Sequence, residues 1–376
     1  MKSAGIYLHI PFCTVKCIYC DFYSIETGDN SISRFINSLV KEINEYEIES
    51  NDWLFNSMFF GGGTPSLLKA THIETILEAL NKKYDISNIK EITVEVNPGE
   101  ASLESLKDFR TLGINRLSIG VQSLEPNLLK FLNRIHSTDQ IFETYNNSRS
   151  AGFENINCDL IYSIPGQSWE VWEKNLNAII NLNPNHISAY TLTLEKGTDL
   201  YRMVKDKKVT MPQDSQTAEW FLKTNEILNE KDYQCYEISN FAKENFKCEH
   251  NLNYWRIHPY LAFGPSAHGF DGNKRWNNIR SLDHYLKQIE SGNSPISMVE
   301  ALTKKDLSNE LIGFGLRMDE GINLKNIPNQ FLNKFNKNLK RSLKKWDNCI
   351  DIKNNRISLS HTGMIYSDAI AVDLML

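Results

Sequence analysis

The chain has 376 residues, 41% hydrophobic and 23% charged, with 46 acidic against 41 basic residues and a net charge of -5. This composition predicts a globular protein with room for one large domain and a smaller one, and its seven cysteines, three of them clustered, do not read as a disulfide framework. Its mild acidity, with a pI near 6.0, steers it to neither nucleic acid nor an anionic membrane, and no run reaches the ~20 apolar residues of a spanning helix.

The first apolar run, 6–10, leads straight into Cys13-Thr-Val-Lys-Cys17-Ile-Tyr-Cys20. So short a lead leaves no room for a cleavable leader, and a cytoplasmic protein is expected. In a reducing compartment a disulfide within this cluster is disfavoured. Thiolates are the ligands of iron–sulfur clusters, and a complete cubane takes four. Cys13, Cys17 and Cys20 can hold three irons of one [4Fe–4S] cluster; Asp21-Phe22-Tyr23 follows and supplies no fourth thiol. An iron without a protein ligand is an open site, where metal chemistry happens. A zinc site completed by His9 is the competing reading. Cys158, Cys235 and Cys349 are expected as small buried hydrophobes.

Six β-rich runs follow through the first half, at 6–10, 57–60, 91–96, 116–121, 155–161 and 186–194. Between them, 33–47, 73–84, 103–112, 140–151 and 169–182 repeat apolar residues at intervals of three and four, the spacing of amphipathic helices. Alternating strands and helices predict an α/β fold with a parallel sheet and right-handed crossovers. Six units are too few for a closed eight-stranded barrel and fit a partial (β/α)6 barrel. Each run ends in glycine-rich or polar residues, among them Gly61-Gly62-Gly63-Thr64-Pro65, Asn97-Pro98-Gly99, Gln122-Ser123 and Glu195-Lys196-Gly197, with Asp159 inside its run. Barrel sites are built from the C-terminal ends of strands. Consecutive glycines let the backbone approach a ligand closely. Taken singly, Glu95, Gln122, Arg134 and Asp159 read as structural residues; their places at or near successive strand ends make them site candidates.

Beyond the barrel, Cys248-Glu-His250-Asn-Leu-Asn-Tyr254-Trp255 places His250 and Tyr254 four apart, on one face of a helix. His, Tyr and Cys all serve as axial ligands of heme iron, and a packed aromatic cluster is the alternative. His258 and His268 are further ligand candidates. From about residue 301 the texture changes. A helix is expected over 307–317, then a basic amphipathic helix over 331–346 with an apolar stripe of Phe331, Phe335, Leu339, Leu343 and Trp346. A hairpin turning at Asn354-Asn355 follows. Helix, helix and hairpin predict a helical, winged-helix-like module, its basic face solvated or receiving a partner. The expected organisation is 1–235 barrel, 236–300 connecting region and 301–376 C-terminal module.

CxxxCxxC with Tyr19 before the last cysteine resembles the signature of the radical S-adenosylmethionine (SAM) superfamily. Tyr7-Leu-His-Ile-Pro-Phe-Cys13, Phe60-Gly-Gly-Gly-Thr-Pro-Ser66, Arg116-Leu-Ser-Ile-Gly-Val-Gln-Ser123, Asp159-Leu-Ile-Tyr-Ser-Ile-Pro-Gly166 and Gly264-Pro-Ser-Ala-His268 together resemble one subfamily, that of the oxygen-independent coproporphyrinogen III oxidases and HemW-type heme chaperones. The resemblance implies a partial barrel holding the cluster, with SAM chelated to the open iron and open to reductive cleavage. It implies Tyr7 beside the cluster and SAM, contacts to SAM from Gly62, Gly63, Thr64, Glu95, Gln122, Arg134 and Asp159, and Thr193 against the adenine. His250-Asn-Leu-Asn-Tyr254-Trp255 is similar to the heme-associated motif of the chaperones. Two departures set the chain apart from the oxidases. Phe22 stands where they carry a further cysteine, and only five residues precede Ile6 where they carry an extension. The expected function is therefore binding heme and passing it to an acceptor protein, membrane-associated or not, with oxidative decarboxylation of coproporphyrinogen III as the alternative. An unrelated radical SAM enzyme and a structural zinc protein are the remaining rivals. No nucleic-acid partner is expected, and a homodimer stays open.

Overall fold

A computed structural model describes residues 1–26, 30–47, 50 and 52–376. The six expected runs all form strands: β1 (Lys2–Ile10), β2 (Trp53–Gly62), β3 (Glu91–Val96), β4 (Arg116–Gln122), β5 (Asn155–Tyr162) and β6 (His186–Thr191). They lie side by side in chain order and all parallel. Helices Asn30–Glu45, Ala70–Lys83, Leu103–Thr111, Thr138–Ser150 and Trp169–Asn181 connect them. This is the partial (β/α)6 barrel. Capping explains why several helices begin where they do. Ser102, Ser137 and Ser168 each accept from a backbone N–H of the following turn, and Gln140 closes the reciprocal bond at Ser137.

A parallel sheet covered by helices normally reads as unbroken apolar residues. These strands alternate instead. In β3 the order is Glu91, Ile92, Thr93, Val94, Glu95, Val96; in β4 it is Arg116, Leu117, Ser118, Ile119, Gly120. Successive side chains point to opposite faces, and the register aligns Glu95 with Ser118, Ser118 with Asn157, and Asn157 with His186. One face is therefore apolar, with Ile6, Leu8, Val94, Leu117, Ile119 and Ile187 fully buried under the helices. The other face lines the barrel and is polar. A lining of acids, an arginine and hydroxyls costs desolvation, so it marks the interior as a place for chemistry rather than packing.

The sheet continues past both ends of the expected set. A seventh parallel strand, β7 (Tyr260–Phe263), pairs with the free edge of β1. Strands His268–Phe270, Lys274–Asn278 and Ile296–Ala301 extend that edge antiparallel, while Asn240–Ala242 and Gln234–Glu237 cover β6. Most of these runs are too short to show a period, and Ile296–Ala301, six residues long, is exposed along nearly all of its length and so carries no buried–exposed alternation. The sixth strand stops at Thr191, short of the expected 194.

The C-terminal module contains helix Lys304–Gly315, strand Ile322–Asn323, helix Asn329–Lys345 and hairpin strands Ile350–Lys353 and Arg356–Leu359. Asn354 and Asn355 both take positive φ, +49° and +63°, as a tight primed turn requires. Two short helices not expected from sequence, His361–Ile365 and Ser367–Leu374, close the chain. The apolar stripe needs one correction. Leu343 is 37% exposed, and fully buried Ser342 takes its place beside Phe335 and Leu339. Steps of four drift around a helix of 3.6 residues per turn, so the third step must fall back by one. Among the described residues no helix is long and apolar enough to cross a membrane.

Candidate functional site

The three clustered cysteines lie just past the end of β1, at the mouth of the barrel, free and half-buried. The loop that carries them is pinned from several sides. Lys16 N–H donates to Glu26, Ile18 N–H to the Leu132 carbonyl, Leu200 N–H to the Ile18 carbonyl, and Asn133 Nδ2 to the Lys16 carbonyl at 2.8 Å. The glycine segment at the end of β2 holds the loop's start. Gly63 N–H donates to the Ile10 carbonyl at 2.7 Å and Thr64 N–H to the Phe12 carbonyl at 2.6 Å. A Cβ on Gly63 would sit 2.5 Å from the Phe12 carbonyl oxygen, so only glycine permits this approach. Gly62, with φ +109°, gives its N–H to Glu95 Oε2 at 3.1 Å. The N–H groups of Gly62, Gly63 and Thr64 are thus all engaged, and a ligand meets their backbone through carbonyl oxygens, which suit an ammonium group.

The donors around the sulfurs form one chain of hydrogen bonds. Thr64 Oγ1 donates to Cys13 Sγ at 3.7 Å, Asn97 Nδ2 donates to Thr64 Oγ1 at 2.8 Å, and Arg134 Nη2 donates to Asn97 Oδ1 at 2.5 Å and the Gly120 carbonyl at 2.8 Å. Arg134 Nη1 then reaches Cys17 Sγ at 3.5 Å. Burial pushes the thiols of Cys13 and Cys20 up, Cys20 to about 11. A coordinated metal reverses that and holds thiolates, and donors already aimed at two of the sulfurs are what tunes such a centre. Zinc with His9 fits less well. His9 Nε2–H donates to the Tyr23 carbonyl at 2.8 Å, so Nδ1 accepts the Tyr7 hydroxyl at 3.1 Å. Both nitrogens are occupied, burial lowers the ring's pKa to about 4, and among the described residues no three His, Cys, Asp or Glu side chains converge as a single-ion site requires. A cubane asks less convergence, because each thiolate binds a different iron.

The remaining sequence candidates spread along the next strand ends. Glu95 is held up to about 8, chiefly by burial and also by nearby Asp159. Asp159 accepts from Ser118 Oγ at 2.8 Å and Asn157 Nδ2 at 2.9 Å. Gln122 occupies a bulge with φ +62°, which re-aims its side chain. A Cβ on Gly120 would meet Arg134 Nη2 and Gln122 Nε2 at 3.0 Å each, so these two groups converge above that glycine. Thr193 lies past the end of β6 and is exposed. Tyr7 faces the barrel; burial and the Glu95 carboxylate push its phenol up. Asn97, which joins Thr64 to Arg134, and Arg116, fully buried among these acids, were not singled out by sequence. Their signals were the polar strand end and the alternation within β4.

His250 and Tyr254 do share a face of helix Glu249–Trp255. The Glu91 carboxylate holds its N-terminus, accepting the N–H of Glu249 and His250 at 3.1 and 3.0 Å. His250 is 1% exposed, with Nδ1 bonded to Ser57 Oγ at 3.0 Å and Nε2 to the Tyr254 hydroxyl at 2.8 Å. It therefore stands behind Tyr254. Tyr254 and Trp255 line a cavity of about 490 Å³ beside the thiol loop. The loop itself, as Phe22 and Tyr23, makes one wall, Tyr7 and His9 join it to the barrel mouth, and Phe314 of the C-terminal module closes it. Phe22 is 64% exposed there. His268 lines this cavity; His258 does not, and its Nδ1 pairs with Asn253 Oδ1 at 2.9 Å. Cys158 and Cys349 are buried as expected, whereas Cys235 is only partly so.

Comparison with known proteins agrees with this fold. The family model for the radical SAM superfamily matches residues 7–179. The chain is 36% identical to the mitochondrial radical S-adenosyl methionine domain-containing protein 1 of Danio rerio, over 85% of this chain and 74% of that protein. It is 34% identical to the heme chaperone HemW of Lactococcus lactis, over 89% and 87% of the two chains, and 33% identical to that of Bacillus subtilis, over 90% and 88%. In fold it matches the Escherichia coli coproporphyrinogen III oxidase HemN, a radical SAM enzyme, with a TM-score of 0.84 at 24% identity, over 100% of this chain and 90% of that one.

Proposed function

This chain belongs to the radical SAM superfamily and, within it, to the family of the heme chaperone HemW, and on that premise we propose that it binds heme and passes it to an acceptor protein. Cys13, Cys17 and Cys20 would hold a [4Fe–4S] cluster, and Gly62, Gly63, Thr64, Glu95, Gln122, Arg134 and Asp159 would hold SAM, with Tyr7 between the two and Thr193 at the outer edge. Cluster and SAM, when bound, supply one-electron reductive chemistry. The chain's own part is to shield that centre, to hold Cys13 and Cys17 through the Thr64–Asn97–Arg134 hydrogen bonds, and to keep the Glu95 carboxyl ready for a cationic group.

The observation that carries the heme reading is the aromatic cavity. At about 490 Å³ it falls within the roughly 300–1,000 Å³ usual for small-molecule sites. Its ring faces suit a flat macrocycle, and Arg280 on its wall suits a carboxylate. Purified full-length protein is expected to bind about one heme per chain and, with SAM and a reductant, to release no carbon dioxide from coproporphyrinogen III. Steady decarboxylation by protein that ignores heme reverses the assignment in favour of the oxidase.

SAM has its own test. Added to the reduced, reconstituted protein it is expected to change the cluster's EPR signal, and Glu95→Ala to weaken that response by raising the SAM concentration needed. A wild-type spectrum unmoved by saturating SAM removes the strand-end site.

A further inference from the structure

Four histidines surround the cavity or the helix beside it, and their hydrogen bonds separate them. His9 has both nitrogens engaged, by Tyr7 and Tyr23. His250 has both engaged, by Ser57 and Tyr254, and lies outside the cavity. His258 is tied to Asn253 and also lies outside. His268 lines the cavity, is exposed to it, and has no hydrogen-bond partner among the described residues. The sheet explains its aim. His268 opens strand His268–Phe270 and pairs with Asn277, while Phe270 pairs with Arg275. Residues two apart share a face, so His268, Phe270 and Arg275 form one wall.

The cations of that cavity also divide. Arg275 is already in a two-pronged pair with Glu310, at 2.8 and 3.1 Å. Arg280 lies over the Tyr23 ring at 5.9 Å, reaches only the Asp21 carbonyl at 3.4 Å, and has no carboxylate partner among the described residues.

We propose that His268 supplies the axial nitrogen to the iron of the bound tetrapyrrole, that Arg280 takes one of its carboxylates, and that the His250–Tyr254 pair braces the cavity wall instead of ligating. This rests on the heme reading above and assigns that site's residues. An unbonded neutral imidazole facing an aromatic cavity is a ready iron ligand. His250 reaches iron only by giving up two buried hydrogen bonds and displacing Tyr254.

The test titrates hemin and metal-free protoporphyrin IX into the full chain. Wild-type protein is expected to bind both. His268→Ala is expected to lose at least about tenfold in hemin affinity, with a shifted Soret band, while protoporphyrin IX affinity holds; millimolar imidazole restores the wild-type hemin spectrum. His250→Ala keeps wild-type iron ligation. Arg280→Gln weakens both porphyrins and leaves the dimethyl ester of protoporphyrin unaffected. A His268→Ala protein with wild-type hemin affinity and spectrum overturns the assignment, and so does loss of both porphyrins together, which marks His268 as packing. Wild-type protein that binds neither porphyrin refutes the heme reading itself.

Discussion

Cys17→Ala protein, reconstituted anaerobically with iron and sulfide, is expected to lose the ~400 nm absorption and the roughly four irons per chain that the wild type should carry. The effect is near total because two losses coincide. One of three thiolates is gone, and no other cysteine has ligand spacing to replace it. The Arg134 guanidinium, which donates to that sulfur, is left without its anion. Cys13→Ala and Cys20→Ala are expected to behave alike, since three points define how a cubane sits. Full iron loading in Cys17→Ala, or zinc as the sole metal of the wild type, refutes the cluster assignment.

Arg116→Met is expected to cost about 3–5 kcal/mol of stability, the range for removing one partner of a buried charge network. Arg116 is 2% exposed. Its charge acts on Glu91, Glu95, Asp159 and Cys248, and burial, which disfavours its cation, is outweighed by these neighbours, so the guanidinium is held charged. Remove it and the acids lining the barrel lose their common counter-charge. Glu91 also holds the N-terminus of helix Glu249–Trp255, so the damage should reach the aromatic cavity. A urea titration measures the loss. Arg116→Lys should recover part of it, through charge without the planar fork. An Arg116→Met protein within about 1 kcal/mol of wild type would show that the acids neutralise by taking up protons instead.

How much of the site was legible follows from where each part lies in the chain. The thiols, the triple glycine and Glu95 each sit within a few residues of one another or at the close of a regular strand. Spacing and period expose such groups directly. The role of Asn97 was not legible, because its link to Thr64 and Arg134 spans three strand ends. Nor was the arrangement of His250. The helical spacing that put it on Tyr254's face says nothing of which of the two stands in front.

The six strand runs, the helical period between them and the cysteine cluster were therefore determined by sequence alone, since each is set by neighbours within one element. Tertiary structure alone decided the seventh parallel strand and the cavity. Tyr7, Phe22, Tyr254, His268 and Phe314 come from five separate segments, and in sequence an aromatic residue facing a cavity is indistinguishable from one facing a core. Only packing determines which rings meet one another and which are left facing open space for a ligand.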